Sequence, residues 1–324
     1  MGMEHSLITL ENVKVYFKVK RSGNEKNQTI KAVDDVSFDV IKNETLGIVG
    51  ESGCGKSTVA RAILRLVDIT EGSISFNGND LASRSNREMK TVRKDMQMIF
   101  QDPYASLNPR RTIASIVGES LKLHTDLSRD EILERVGQLL LEVGLRPEYM
   151  TRYPHEFSGG QRQRISIARS IALNPAFIAC DEAVSALDVS VQAQVLNLLE
   201  DLKKKYHLTY LFISHDLSVI KHISDRIIVM YLGKIVEIAN KQDLFENPAH
   251  PYTQLLLDSI PVPDPDEKHE GTAFNVGEIP SALNIPSGCR FRTRCKHVTQ
   301  ICIDEEPQKV VISEGHICYC HLYQ

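Results

Sequence analysis

A glycine-rich loop with one lysine and two hydroxyl residues is the segment of this sequence best suited to chemistry. The loop reads GESGCGKST from Gly50 to Thr58 and matches the pattern G-x-x-x-x-G-K-[ST]. Its glycines let consecutive backbone N–H groups point inward, and a helix predicted to start near Lys56 adds the positive end of its dipole. The loop predicts a cradle for the phosphates of ATP, formed by Gly50, Ser52, Gly53, Cys54, Gly55, Lys56, Ser57 and Thr58.

Three side chains of this loop have separate expected roles. Lys56 is expected to reach the β- and γ-phosphates, and the Ser57 hydroxyl is expected to ligate Mg²⁺. Cys54 lies near the predicted helix N-terminus, where a thiol could be reactive. We interpret it instead as a small residue that the loop tolerates.

An acidic pair ends a second apolar run, FIACDE. Beside a phosphate loop, Asp181 is expected to be directed at the metal ion, and Glu182 is expected to orient a water towards the γ-phosphate as a base. The alternative is a helix N-cap followed by a solvated acid. Cys180, just before the pair, is interpreted as a small buried strand residue.

Alternating strand and helix patterns position these residues between about Ser6 and Ala239. TLGIVG, FIACDE and TYLFISHD are short apolar runs typical of buried strands, and VSVQAQVLNLLEDLKKKY has apolar residues at helical spacing. This order predicts a mostly parallel sheet covered by helices on both sides. LITLENVKVYF and AVDDVSFDVI instead predict an antiparallel β flap, and residues 102–174 predict a helical insertion.

Composition limits the classes of protein that fit. The 324 residues carry a net charge of −4, whereas a domain that binds nucleic-acid phosphates is usually far more basic. No secretory signal and no run of about 18 apolar residues is visible, so we expect a cytosolic location with reduced thiols. The amino-acid composition changes after Pro248, where a proline-rich linker, PVPDPDEKHEG, follows. We expect two domains, residues 1–240 and 241–324.

Three further segments, in this order, indicate a family. MIFQDP contains Gln101, FSGGQ runs from Phe157 to Gln161, and FISHD contains His215. Together with the loop and the acidic pair they resemble the ATP-binding cassette of ABC transporters. The resemblance implies an α/β P-loop NTPase fold with a RecA-like core, an antiparallel β subdomain and a helical subdomain at about residues 102–174. A small cysteine-containing extension follows.

The resemblance also implies residue roles. Ser158, Gly160 and Gln161 resemble the signature motif, which binds the γ-phosphate held by a second subunit. Gln101 resembles the Q-loop glutamine near Mg²⁺, and His215 resembles the switch histidine. The family stacks adenine on an aromatic side chain near the first strand, for which Phe17 aligns best and Tyr16 is the alternative. Ser185 to Asp188 resemble the D-loop.

Since only one cassette is present, a second ATPase subunit must complete each site, as a homodimer or a heterodimer. QMIFQDPYASLNPR and HPYTQLLLDSIP resemble the oligopeptide/dipeptide importer ATPases, which also include nickel importers. This similarity implies two integral membrane permeases, an extracellular peptide-binding protein and a place at the cytoplasmic face of the cell membrane. The alternative is a soluble cassette ATPase in nucleic-acid repair or translation; we expect no nucleic-acid partner.

Five cysteines crowd the C-terminal end. The spacing of Cys289, Cys295, Cys302 and Cys320 is C-x5-C-x6-C-x17-C, which matches neither a common zinc site nor a ferredoxin run. From spacing alone, a metal held by four thiolates, zinc among the candidates, or free cysteines remain open. Some peptide-importer ATPases carry GC-x-F-x-x-RC and a final CHL around a [4Fe–4S] cluster, and this resemblance implies a cluster with Cys320 rather than Cys318 as fourth ligand. The interleaved cations Arg290, Arg292, Arg294 and Lys296 are expected to offset its negative charge.

Overall fold

The computed structural model describes residues 6–19, 28–259 and 280–324. The predicted linker PVPDPDEKHEG lies outside the described residues. The strands of the described part are β1 Ser6–Val19, β2 Gln28–Ile41, β3 Thr45–Val49, β4 Glu71–Phe76, β5 Asn79–Asp80, β6 Met96–Ile99, β7 Phe177–Asp181, β8 Thr209–Ile213, β9 Arg226–Tyr231, β10 Lys234–Asn240, β11 Val310–Ser313 and β12 His316–Cys318.

Its α-helices are α1 Lys56–Ile63, α2 Asn86–Asp95, α3 Pro103–Ser106, α4 Ile113–His124, α5 Arg129–Glu142, α6 Gly159–Ile171, α7 Val189–Tyr206, α8 Leu217–Ile223, α9 Lys241–Glu246, α10 Pro251–Asp258 and α11 Ile301–Asp304. Within the described ranges, none of these helices combines the length and the apolar character that a membrane crossing requires.

The chain divides into two compact units. Among the described residues, unit 1 comprises 41–44 and 83–213, and unit 2 comprises 6–19, 28–40, 45–82, 214–259 and 280–324. In unit 1, β6, β7 and β8 run parallel, with Met96 opposite Phe177 and Phe177 opposite Thr209. All five residues of β7 and of β8 are buried, as the uninterrupted apolar runs predict.

Helices α3 to α6 occupy the part of unit 1 that the sequence predicts to be helical. Ser and Thr residues cap the starts of α4, α5 and α6, where their side-chain oxygens accept backbone N–H groups left without intrahelical partners. Buried apolar residues of these helices, such as Val117, Leu139 and Ile165, form their shared core. The prediction that residues 102–174 are mainly helical is confirmed.

Unit 2 contains an antiparallel sheet in the order β2-β1-β4-β5. Ile8 of β1 lies opposite Phe76 of β4, and Leu10 lies opposite Ile74. These four side chains are buried while Thr9, Ser73 and Ser75 between them are more exposed, the alternation of a half-buried strand, and Leu7 before Ile8 is also buried. The predicted antiparallel flap is confirmed.

Unit 2 also contains the strands that lead into the phosphate loop. Strand β3 pairs in parallel with β9, and β9 pairs antiparallel with β10. Strand β12 of the C-terminal extension pairs antiparallel with β10, and β11 pairs with β12. The extension, which we define as residues 241–324, therefore continues the hydrogen-bond ladder of β10.

The first helix is shorter than its apolar pattern predicts. Val59 and Ile63 are buried on α1, but the helix ends at Ile63, and Leu66 is 50% exposed. Arg65 has a left-handed backbone with φ 49°, which interrupts the helical repeat. The helical spacing of Val59, Ile63, Leu66 and Val67 predicts that Leu66 lies on the buried face, and that prediction was wrong for this reason.

Candidate functional site

Two glycines of the phosphate loop occupy positions that no other residue fits. Gly50 follows β3 with φ 147°, and a Cβ there would lie 2.2 Å from the Met230 carbonyl oxygen. Gly55 has φ 108°, and its Cβ would lie 2.1 Å from the Ala32 carbonyl oxygen. Positive φ and close backbone approach both exclude a side chain, so neighbouring strands fix the curl of the loop.

The loop is folded around its lysine. Lys56, the first residue of α1, is 4% exposed, and its Nζ donates to the carbonyls of Gly50 at 2.7 Å and Glu51 at 3.0 Å. This places a cation beside the N-terminus of α1, where an anion is favoured. Cys54 is also buried, and burial raises the pKa of its thiol. The thiol is therefore a poor nucleophile, in agreement with its interpretation as a small tolerated residue.

Phe17 and Tyr16 of β1 have different surroundings. Phe17 is 40% exposed, whereas Tyr16 is half-buried and its hydroxyl donates to the Asp34 carboxylate. The Phe17 ring is thus accessible to solvent, while Tyr16 is held by a polar partner. His215, in the same unit, is exposed in the segment between β8 and α8.

In unit 1 Glu182, the second residue of the acidic pair, contacts Gln101. Asp181 is the buried last residue of β7, and Glu182 follows it with a left-handed backbone, φ 49°. The Gln101 amide Nε2 donates to Glu182 Oε2 at 2.7 Å. Ser185 secures the strained turn, because its N–H and hydroxyl both donate to the Glu182 carbonyl, at 3.2 and 3.0 Å. A strained non-glycine residue of this kind is typical of functional sites.

The helix-cap alternative for the acidic pair does not hold. The following helix, α7, is capped by Asp188, whose Oδ1 accepts the Val191 N–H at 2.9 Å. The Glu182 carboxylate contacts the Gln101 amide, and an amide-oriented carboxylate can accept a proton from a bound water.

The signature residues form the start of α6. Ser158 Oγ accepts the Gln161 N–H at 3.3 Å, and Gln161 Oε1 accepts the Ser158 N–H at 3.1 Å, which is a capping box. A Cβ on Gly160 would lie 2.4 Å from Val191 Cγ1, so only glycine lets α6 approach α7 this closely. The 13-residue helix directs its N-terminal N–H groups outward from a fixed platform.

The structure brings four of the C-terminal cysteines together around one cavity. Cys289, Cys295, Cys302 and Cys320 line it. Cys318 is a fully buried residue of β12, and its interaction with Cys320 lowers the pKa of the Cys320 thiol. No group of three or more His, Cys, Asp or Glu side chains in the described part of the chain is arranged to hold a single metal ion.

Two arginines of the extension have partners that the sequence did not predict. Arg290 pairs with Asp34, and Arg294 pairs with Glu51 of the phosphate loop. These partners are separated by 256 and 243 residues along the chain, so no local pattern signals them. The expectation that both arginines serve as counter-charges of the cysteines is therefore not supported by their contacts.

A buried carboxylate joins the extension to β10 and was also missed. Glu237 is fully buried and accepts the N–H groups of Ala249 and His250 at 2.8 and 2.9 Å. It also accepts the Thr253 hydroxyl, and its Oε1 lies 2.7 Å from His316 Nε2. One side chain of β10 thus satisfies donors from α10, its N-terminal cap and β12.

Known proteins match both the motifs and the extension. The ABC transporter family profile matches residues 33–185, and the profile described as "Oligopeptide/dipeptide transporter, C-terminal region" matches residues 236–302. The oligopeptide transport ATP-binding protein AppF of Bacillus subtilis is 53% identical, over 99% of this chain and 98% of its own length. The oligopeptide transport ATP-binding protein OppF of Escherichia coli is 51% identical, over 93% of this chain and 92% of its own length.

A solved structure agrees with the fold. The ATP-binding cassette MJ0796, in a dimeric post-hydrolysis state bound to ADP and Pi, superimposes with a TM-score of 0.65 at 28% identity, over 72% of this chain and 98% of that one. The α/β ABC cassette fold is thereby confirmed, and with it an ATPase that uses ATP and Mg²⁺. The chain belongs to the ABC transporter family, among its oligopeptide-type ATP-binding proteins.

Proposed function

We propose that this chain is the ATP-hydrolysing subunit of an importer of di- or oligopeptides. The single observation that carries the proposal is the near full-length similarity to oligopeptide transport ATP-binding proteins, which includes the extension as well as the cassette. By this proposal the chain lies at the cytoplasmic face of the cell membrane, bound to two integral permeases, and an extracellular binding protein delivers the peptide.

A soluble ATPase of nucleic-acid repair or translation is not favoured. The basic run from Arg290 to Lys296 is the feature of the sequence that would favour such a function. Arg290 and Arg294 are 6% exposed and paired with carboxylates, so they do not offer a free cationic surface to phosphates.

Co-purification separates these functions. An affinity-tagged chain, extracted with its native membrane in mild detergent, is expected to bring down two integral membrane proteins and a cassette subunit. Nucleic acid in place of membrane proteins would contradict the proposal and support the alternative.

In this function, the motif residues have separate roles in binding and hydrolysing ATP. Lys56 would bind the β- and γ-phosphates, and Ser57 and Gln101 would help to hold Mg²⁺, which would neutralise phosphate charge. Asp181 would also help to hold the metal ion, and Phe17 would stack on adenine. Glu182, oriented by Gln101 at 2.7 Å, accepts the proton of the attacking water.

The remaining residues act across a dimer of cassettes. Ser158, Gly160 and Gln161 at the N-terminus of α6 bind the γ-phosphate of a partner's ATP, and His215 contacts the γ-phosphate bound by its own loop. Each chain therefore holds half a site. At high dilution the chain is expected to bind ATP but hydrolyse it slowly; a rate per chain that does not change with concentration would contradict this.

We further propose that Cys289, Cys295, Cys302 and Cys320 hold a [4Fe–4S] cluster. The four side chains line one cavity, which suits a group with four separate ligand positions. A single zinc ion would need all four sulfurs about 2.3 Å from one point, and the described residues offer no such arrangement. The cluster would serve as a structural staple for the extension.

Iron and sulfide analysis of anaerobically purified protein tests this assignment. Wild type is expected to contain about four irons per chain and a visible charge-transfer absorbance. Cys320→Ser should lose most of the iron and most of the visible absorbance. The matched variant Cys318→Ser should retain them, because Cys318 does not line the cavity. Iron-free wild-type protein would contradict the cluster, and zinc in its place would support the alternative metal.

A further inference from the structure

Glu51, the second residue of the phosphate loop, is held from two sides by the extension. The Arg294 guanidinium Nη1 donates to both Glu51 carboxylate oxygens at 2.9 Å. The Glu51 backbone N–H donates to the Tyr252 hydroxyl, also at 2.9 Å. All three residues belong to unit 2, so the loop and the extension meet within one compact body.

Both partners of Glu51 are fixed by their own packing. Tyr252 is fully buried, and its ring lies 4.7 Å from Tyr231 and 5.3 Å from Phe291. The Arg294 guanidinium is buried and lies 5.8 Å from the Phe291 ring. Side chains held in this way lose little further freedom when they bind Glu51, so their contacts orient the loop effectively.

The position of Glu51 controls the groups that meet phosphate. Its carbonyl accepts Lys56 Nζ at 3.0 Å, and its own N–H is directed to Tyr252 rather than to a ligand. Its carboxylate would repel the triphosphate if it turned inward, and Arg294 both neutralises it and holds it aside. An anion cradle binds more tightly when its backbone is already ordered.

We propose that Arg294 and Tyr252 of the extension are positioning residues for the phosphate loop. Through Glu51 they keep the loop in its binding conformation and remove an unfavourable charge from the phosphate site. The proposal rests on ATP binding by the family and depends neither on peptide transport nor on a metal cluster.

Nucleotide affinity of the full chain tests the arginine. The probe is Mg²⁺ with a non-hydrolysable ATP analogue, titrated by calorimetry. Arg294→Ala is expected to weaken binding about 10-fold, the scale of one charge-assisted pair. The matched control is Arg292→Ala, because Arg292 lies two residues away and its guanidinium binds Ser287 within the extension. That variant should bind like wild type.

The tyrosine provides a test that leaves the fold intact. Tyr252→Phe removes only the hydroxyl that accepts the Glu51 N–H and should weaken binding about 3-fold. Tyr323→Phe removes a comparable hydroxyl, which donates to the Ala249 carbonyl at 3.0 Å away from the loop. This control should leave affinity unchanged.

Two comparisons distinguish positioning from simple stabilisation. Arg294→Lys should recover part of the affinity that Arg294→Ala loses, because one cation remains near Glu51. If Arg294→Ala and Tyr252→Phe lower the unfolding temperature but bind the analogue like wild type, the contacts are structural only and the proposal is overturned. If Arg294→Ala does not fold, the affinity of Tyr252→Phe decides.

Discussion

The ATP-binding motifs and the C-terminal extension reach their positions in different ways. The motif residues make hydrogen bonds to residues close by in the sequence. Lys56 donates to the Gly50 carbonyl, and Ser158 accepts the Gln161 N–H. The extension instead depends on contacts between distant segments, such as Arg294 with Glu51, 243 residues apart. Short-range polar contacts thus shape the phosphate loop and the start of α6, with Gln101–Glu182 as a longer-range exception, whereas the extension is attached to the phosphate loop by long-range polar contacts alone.

The largest expected effect concerns the attachment of the extension. Glu237→Leu should lower the free energy of unfolding by about 3–5 kcal/mol, because it leaves buried donors of the extension without their acceptor. Denaturant unfolding measures this loss. Glu306→Gln is the control, since its pair with Lys234 is exposed and worth about 1 kcal/mol or less. Equal effects of the two variants would show that the buried carboxylate does not anchor the extension.

The next effect concerns chemistry on the cassette side. Glu182→Gln should bind ATP but turn over at least ~100-fold more slowly, the scale of losing a general base. Steady-state phosphate release measures the rate, and Glu148→Gln, at an exposed position of the same unit, serves as control. Near-normal hydrolysis by Glu182→Gln would assign the base to another residue.

The smallest effect distinguishes the two aromatic candidates of β1. Phe17→Leu should weaken ATP binding about 5-fold, at the low end of the ~1–3 kcal/mol of stacking a base on an aromatic ring. Tyr16→Leu, the matched variant, should have the smaller effect on affinity, because the Tyr16 hydroxyl is bound to Asp34. The reverse order would assign adenine stacking to Tyr16.

Much of the cassette was predictable because its signals are local. The loop at Gly50, the buried strand ending at Asp181 and the antiparallel flap each follow from a short pattern of residue types. The α1 boundary was less predictable, since Leu66 continues the apolar repeat beyond the point where the backbone leaves the helix.

The extension was predictable in its cysteines but not in its attachments. The grouping of Cys289, Cys295, Cys302 and Cys320 around one cavity agrees with their predicted association. Nothing near Arg294 in the sequence points to Glu51, and nothing near Glu237 points to His316, 79 residues away. Pairings of this kind depend on the completed fold. No short pattern in a single sequence indicates them.

Peptide uptake by reconstituted vesicles tests the central claim most directly. Proteoliposomes would contain the two permeases and both cassette subunits, with Mg²⁺ and ATP on the cassette side and the binding protein with labelled peptide on the other. We predict peptide accumulation that requires ATP and is lost with Glu182→Gln in this chain. Full ATP hydrolysis without peptide accumulation would contradict the assignment of this chain to peptide import.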